Sequence, residues 1–195
     1  LDRFFLRGNL SYGEIDRGDN QDSDYLSDNR TNEFSRSNNA AGGEVADASI
    51  GFGYKFETSE MGSKFSSYFM PMLGYSIHTQ DLQMTDAVQT VESNVTPPLG
   101  PFAGLNSSYD AEWAGPWLGV DMLLNLQDGS TAFVRMESHR VNYYAKANWN
   151  LRDTFAHPVS FEHEANGSGW VLELGWQNAP SPYRWVWGVT VSLQA

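Results

Sequence analysis

Residues 45–57 read VADASIGFGYKFE, and this stretch decides the fold. Ala46, Ala48, Ile50, Phe52, Tyr54 and Phe56 fall on one side of an extended chain, and Asp47, Ser49, Gly51, Gly53 and Lys55 on the other. Strict alternation of this kind is the signature of a β-strand with one apolar and one polar face.

Six further segments repeat the pattern. In 4–14, Phe4, Leu6, Leu10 and Tyr12 oppose Arg3, Arg7, Asn9 and Ser11; in 65–80, Phe69, Pro71, Leu73, Tyr75 and Ile77 oppose Ser66, Ser76, His78 and Gln80. Segment 110–125 places Ala114, Leu118, Val120, Met122 and Leu124 together. Segment 132–145 sets Arg135, Glu137 and His139 on one face, with a β-bulge expected in its later half. Segments 169–177 and 184–194 complete the set, with Trp170, Leu172, Leu174 and Trp176 in the first and Trp185, Trp187, Val189, Val191 and Leu193 in the second. No helical periodicity competes with this.

Composition narrows the class. The 195 residues carry a net charge of −12, which disfavours a nucleic-acid partner, and no cysteine, which removes thiol chemistry and disulfides. Seven Trp, nine Tyr, eleven Phe and eighteen Gly are spread through a chain with no long apolar run, so no transmembrane helix is expected. Short connections, at 58–63, 127–130 and 178–183, alternate with long polar ones, at about 16–43, 81–108 and 148–167. Transmembrane barrels of the bacterial outer membrane have this asymmetry, with short periplasmic turns and long extracellular loops. Aromatics near strand ends (Tyr12, Tyr54, Trp170, Trp176 and Trp185) fit an interfacial girdle.

The expectation is therefore an all-β chain, a single domain over 1–195, folded as an antiparallel transmembrane β-barrel. Seven strands are visible, and an even total of about eight to ten is expected of the whole barrel. The missing strand lies either inside a long connection or outside these residues.

Several stretches resemble the omptins, ten-stranded outer-membrane endopeptidases. They are SYGEIDRGDNQDSDYLSDNRTNEF (11–34) with GFGYKF (51–56), MLGYSIHTQDLQM (72–84), EWAGPWLGVDM (112–122) and RMESHRVNYYAKANWN (135–150). On that mapping the chain covers omptin strands three to nine, which accounts for the odd count. The resemblance implies a site at the extracellular mouth, where an Asp-x-Asp pair faces an Asp-x-His pair across a nucleophilic water. Asp22-Ser23-Asp24-Tyr25 matches the first pair and its following aromatic. The connection 148–167 offers Asp153, His157, Glu162 and His163 but no Asp-x-His, a departure that counts against proteolysis.

The functional expectation is a non-catalytic outer-membrane barrel whose long loops serve recognition, assembly or envelope structure. An omptin-type endopeptidase using Asp22, Asp24, Asp153 and His157 or His163 is the first alternative, and a small pore the second. No cofactor is expected. Asp19, Asp22, Asp24 and Asp28 offer oxygens to calcium but lack the ligand pattern of an EF-hand loop. Outer-membrane lipid is the expected partner, with Arg140, Lys146 and Arg152 placed to meet lipopolysaccharide phosphates, and a protein partner could engage the loops.

Overall fold

A computed structural model describes residues 3–58, 66–179 and 187–194. Its strands are β1 (Phe4–Ser27), β2 (Thr31–Tyr54), β3 (Phe56–Glu57), β4 (Ser66–Val91), β5 (Gly100–Phe102), β6 (Ser107–Asn125), β7 (Thr131–Asn148), β8 (Phe161–Gln177) and β9 (Gly188–Gln194). They form one antiparallel sheet in the order β1-β2-β4-β6-β7-β8-β9, with β3 and β5 each pairing with β4. No helix among the described residues is long and apolar enough to cross a membrane. β5 covers only three residues, so the long 81–108 connection hides no spanning strand.

The sheet curls. Arg7 on β1 places its guanidinium 2.7 Å from Asp121 on β6 and also reaches Glu137 on β7. In a flat sheet those strands would stand about 14 and 19 Å away, at roughly 4.8 Å per strand spacing. The contacts exist because the sheet is bent into a half-barrel with its charged face inside.

The two faces invert the usual partition. Trp117 is 2% exposed and Asp121 1%, whereas Leu118, next to Trp117, is 69% exposed. Leu6, Phe52, Leu73 and Leu118 line up across β1, β2, β4 and β6 on the outer face, all exposed. A soluble protein buries such a row; a lipid-facing wall presents it. The apolar outer band runs over residues 4–12 of β1, 69–77 of β4 and 114–124 of β6. That matches the roughly 9–11 residues a tilted strand needs to cross.

Most of what the sequence suggested as long loops is ladder. The 16–43 connection is paired from Gly18↔Ala41 to Ser27↔Thr31, closing in a short turn at Asp28–Arg30. β4 continues to Val91, and β7 and β8 remain paired to Ala147↔Phe161. Backbone pairing satisfies N–H and C=O groups whatever the side chains are, so it persists where both faces are wet.

The bulge expected in β7 is absent: its register with β8 is unbroken from Thr131↔Gln177 to Ala147↔Phe161. What changes along the strand is polarity. The outer face passes from Val134 and Met136 to Ser138, Arg140, Asn142 and Lys146, while the inner face passes from Arg135, Glu137 and His139 to Tyr143, Ala145 and Ala147. The strand leaves the apolar layer at this point, and its outer residues turn polar as their surroundings do. Register shifts occur instead between Ile15 and Gly18 and between Asp24 and Tyr25 on β1, and on β2 between Arg36 and Ser37 and between Asn38 and Ala40.

The 127–130 connection is the tight turn expected. Asp128 accepts hydrogen bonds from the Ser130 amide (2.9 Å) and hydroxyl (2.6 Å), and Gly129 supplies the required positive φ of 81°. The other two short connections, and Trp185, lie largely outside the described residues.

Candidate functional site

Two levels of the concave face carry the chemistry. At the first, Arg7 grips both Asp121 oxygens (2.7 and 2.9 Å) with one nitrogen and reaches Glu137 with another. Glu137 meets His139 Nε2 at 2.9 Å, and His139 Nδ1 lies 3.3 Å from Ser76 Oγ. Arg135 bonds Glu173 at 3.1 Å and stands 3.5 Å from Asp121. Burying an ionised carboxylate such as Asp121 costs several kcal/mol unless it is paired, and two guanidinium groups supply the pairing here. Arg7 also stacks over Trp117 at 5.0 Å, whose indole N–H donates to Ser49 at 3.1 Å.

At the second level, Asp47 pairs with His78 and accepts from Ser11 at 3.2 Å. His78 lies 5.2 Å from Trp113 in ring centroids, and Trp113 4.8 Å from Tyr143. A cavity of about 1230 Å³ spans both levels, lined among others by Arg7, Asp47, His78, Trp113, Glu137 and Tyr143. Sequence reasoning placed Arg7, Glu137, His78 and His139 on the polar face but did not join them. Their partners lie up to 130 residues away, as with Arg7 and Glu137.

The acidic stretch of the first hairpin sits beyond the apolar band. The register shift after Ile15 exchanges the two faces of β1, so Asp22 and Asp24 turn inward with Gly18 and Asn20, while Asp19 faces out and Asp28 lies in the tip turn. Asp24 is ion-paired with Arg152 at 2.9 Å. Burial, then the neighbouring Asp24, pushes the Asp22 carboxyl above the ordinary range, with Arg152 opposing.

The candidate residues of 148–167 have other neighbours. His157 Nδ1 lies 3.0 Å from Asn148 Oδ1, and His163 Nδ1 lies 3.4 Å from the Tyr109 hydroxyl and packs on Phe161. Asp153 is exposed, and Glu162 accepts from Tyr144 at 2.7 Å on the outer face. Tyr109 and Tyr143 share a hydrogen bond of 2.5 Å, which raises the Tyr109 phenol to about 12. Among the described residues no group of three or more His, Asp or Glu side chains is placed to hold a metal ion. Arg140 and Lys146 lie on the outer face of β7 where it turns polar, with Lys146 3.6 Å from Asp110. Arg152, expected among the lipopolysaccharide contacts, forms an ion pair with Asp24.

The lipid-facing band, the polar interior and the half-barrel together describe a β-barrel protein of the bacterial outer membrane. No curated protein matches the chain. Over residues 1–195 it matches the family model described as Pom, Protochlamydia outer membrane protein, and it belongs to that outer-membrane protein family.

Proposed function

We propose that the protein forms a water-filled, weakly cation-selective pore. The observation that carries this reading is the cavity of about 1230 Å³ on the concave face, with the Arg7–Glu137 ion pair in its wall. Gly8, Ser11, Ser49, Ser76 and Gly169 line it, and such small residues leave room for water that a packed barrel interior would fill with side chains. Carboxylates outnumber guanidinium groups along the cavity wall, where Asp47, Glu137 and Glu173 stand with Arg7 and Arg135, and a surplus of negative charge favours cations. The wall closes when the free edges of β1 and β9 find strand partners, because unpaired backbone is not tolerated in hydrocarbon. An omptin-like arrangement, with these strands as the central part of a larger barrel and Tyr12, Tyr54, Trp170 and Trp176 at its interfaces, is compatible with that closure. The test is single-channel recording in planar bilayers under a salt gradient. Ohmic steps with a cation-positive reversal potential are expected, and Arg7→Met is expected to raise both conductance and cation preference. A non-conducting protein, or an anion-selective one, sinks the reading.

A second reading has its own observation: paired strands extend well past the apolar band and carry Asp22 and Asp24 inside and Arg140 and Lys146 outside. We infer that this end is extracellular and serves recognition or assembly, with Arg140 and Lys146 available to lipopolysaccharide phosphates. Trypsin added to intact cells is expected to cut the first hairpin after Arg30; protection of that bond in cells, with cleavage in lysed ones, would reverse the orientation. The endopeptidase alternative gains no support from the contacts, since Asp24 is held by Arg152 and His157 by Asn148.

A further inference from the structure

Above the Arg7–Glu137 ion pair, the inner face carries a run of aromatic rings that the pore reading does not use. Trp113 and Tyr143 sit in contact at 4.8 Å, the Tyr143 hydroxyl bonds Tyr109, and Tyr109 leads to His163 at 6.3 Å and on to Phe161 at a further 5.0 Å. Trp113 and Tyr143 line the cavity and are only part-buried. The neighbouring strands β1, β2 and β4 add Asn9, Ser11, Ser49 and Ser76 to the same lining, neutral groups that donate and accept hydrogen bonds.

We propose that this lane binds a neutral linear oligosaccharide on its way through the barrel, a reading that rests on the pore and names its solute. A pyranose ring has C–H faces that stack on the electron-rich face of an aromatic ring and an equator of hydroxyls that need hydrogen-bonding partners. The cavity offers both, aromatic planes on β6 and β7 and short polar side chains on β1, β2 and β4, the usual make-up of a small-molecule site. An organic cation is the competing solute, since aromatic faces attract cations. The carboxylates at these levels are already committed, however: Asp47 to His78 and Ser11, and Glu137 to Arg7 and His139. A cation entering here would have to draw those carboxylates out of ion pairs, whereas a polyol need only share Ser11, Ser49 and Ser76, whose hydroxyls keep further hydrogen-bonding capacity beside their bonds to Asp47, Trp117 and His139.

The experiment records the full chain in planar bilayers with maltohexaose, with a polyethylene glycol of similar mass, and with spermine. Transient current blocks by maltohexaose, and not by the other two, are expected. Loss of one stacking ring in Trp113→Ala is expected to raise the half-blocking concentration about tenfold, normalised to each variant's own open current. Trp113→Phe, which keeps a ring, is expected to shift it far less. Channels that conduct but are not blocked by maltohexaose overturn the proposal, as does equal block by polyethylene glycol or block by spermine alone. If no channel forms, the pore reading fails separately, and tryptophan fluorescence in micelles then decides the lane. A saturable response to maltohexaose that Tyr143→Ala abolishes supports it, and a flat titration overturns it.

Discussion

The indole of Trp117 closes over Gly74 so tightly that a β-carbon there would come within 2.3 Å of the ring and of the Ile50 carbonyl oxygen. Gly51, next to Gly74 in the ladder, is covered in the same way at 2.4 Å. Glycine at these positions lets a bulky ring lie against the sheet. Gly74→Ala is therefore expected to destabilise the barrel by roughly 1–3 kcal/mol, the usual range for overpacking. Adding Trp117→Leu should recover only part of that, because the clash with the Ile50 carbonyl remains. Urea unfolding midpoints in micelles measure both.

The outer face yields a depth-dependent expectation. Leu118 lies well within the apolar band and Asn142 at its margin, opposite Ala114. Leu118→Arg should cost about 2–4 kcal/mol in a lipid bilayer, and Asn142→Arg about 0–1 kcal/mol. Equal costs at the two sites, measured by reversible folding into vesicles, would mean the band is misplaced.

Acidity should act on the distal hairpin through Asp22. Its carboxyl is raised by burial and by Asp24, so the folded state holds the proton more tightly than the unfolded chain does. The associated stability is full below about 3.9, the unfolded value, and is lost as pH rises through the raised folded value. Asp22→Asn should therefore match the parent at low pH and protect the ladder better at neutral pH. Amide hydrogen exchange over 18–24 and 35–41 reads the difference, and Arg152→Ala should move it the opposite way.

High pH should act on this end of the sheet through Tyr109. Tyr109 is raised to about 12, chiefly by its bond to Tyr143. Stability from this group is present below about 10, the value for a free phenol, and declines as pH climbs towards the folded value. In Tyr143→Phe, ultraviolet titration should find the Tyr109 ionisation shifted back towards the free value.

How far the sequence could be read depends on whether a strand has two different environments. Where lipid lies on one side and water on the other, side chains alternate, and the facing of Phe52, Leu73 and Leu118 against Gly51, Gly74 and Trp117 follows directly. Past the apolar band both sides are wet, alternation fades, and the paired hairpin of 16–43 looks like a loop although its backbone continues the ladder. In β7 the inversion of polarity after His139 imitates a bulge, while the shift at Asp16 and Arg17 leaves no pattern to betray it. The site was legible only in part for a related reason. Arg7, Glu137 and His139 could be assigned to the inner face, but their convergence depends on curvature, which alternation does not encode. Asp22 and Asp24 were separable from Asp19 and Asp28 by spacing, and the structure gives that separation a direction, inward against outward.

The extra residue between Ile15 and Gly18 acts as a reading-frame marker for the hairpin beyond it. Removing it would exchange every inward side chain of the distal first strand for its outward neighbour, hiding Asp19 and displaying Asp22 and Asp24, with the composition almost unchanged. A single-codon deletion there would leave the lipid-embedded wall alone and still give the distal hairpin a different outer surface.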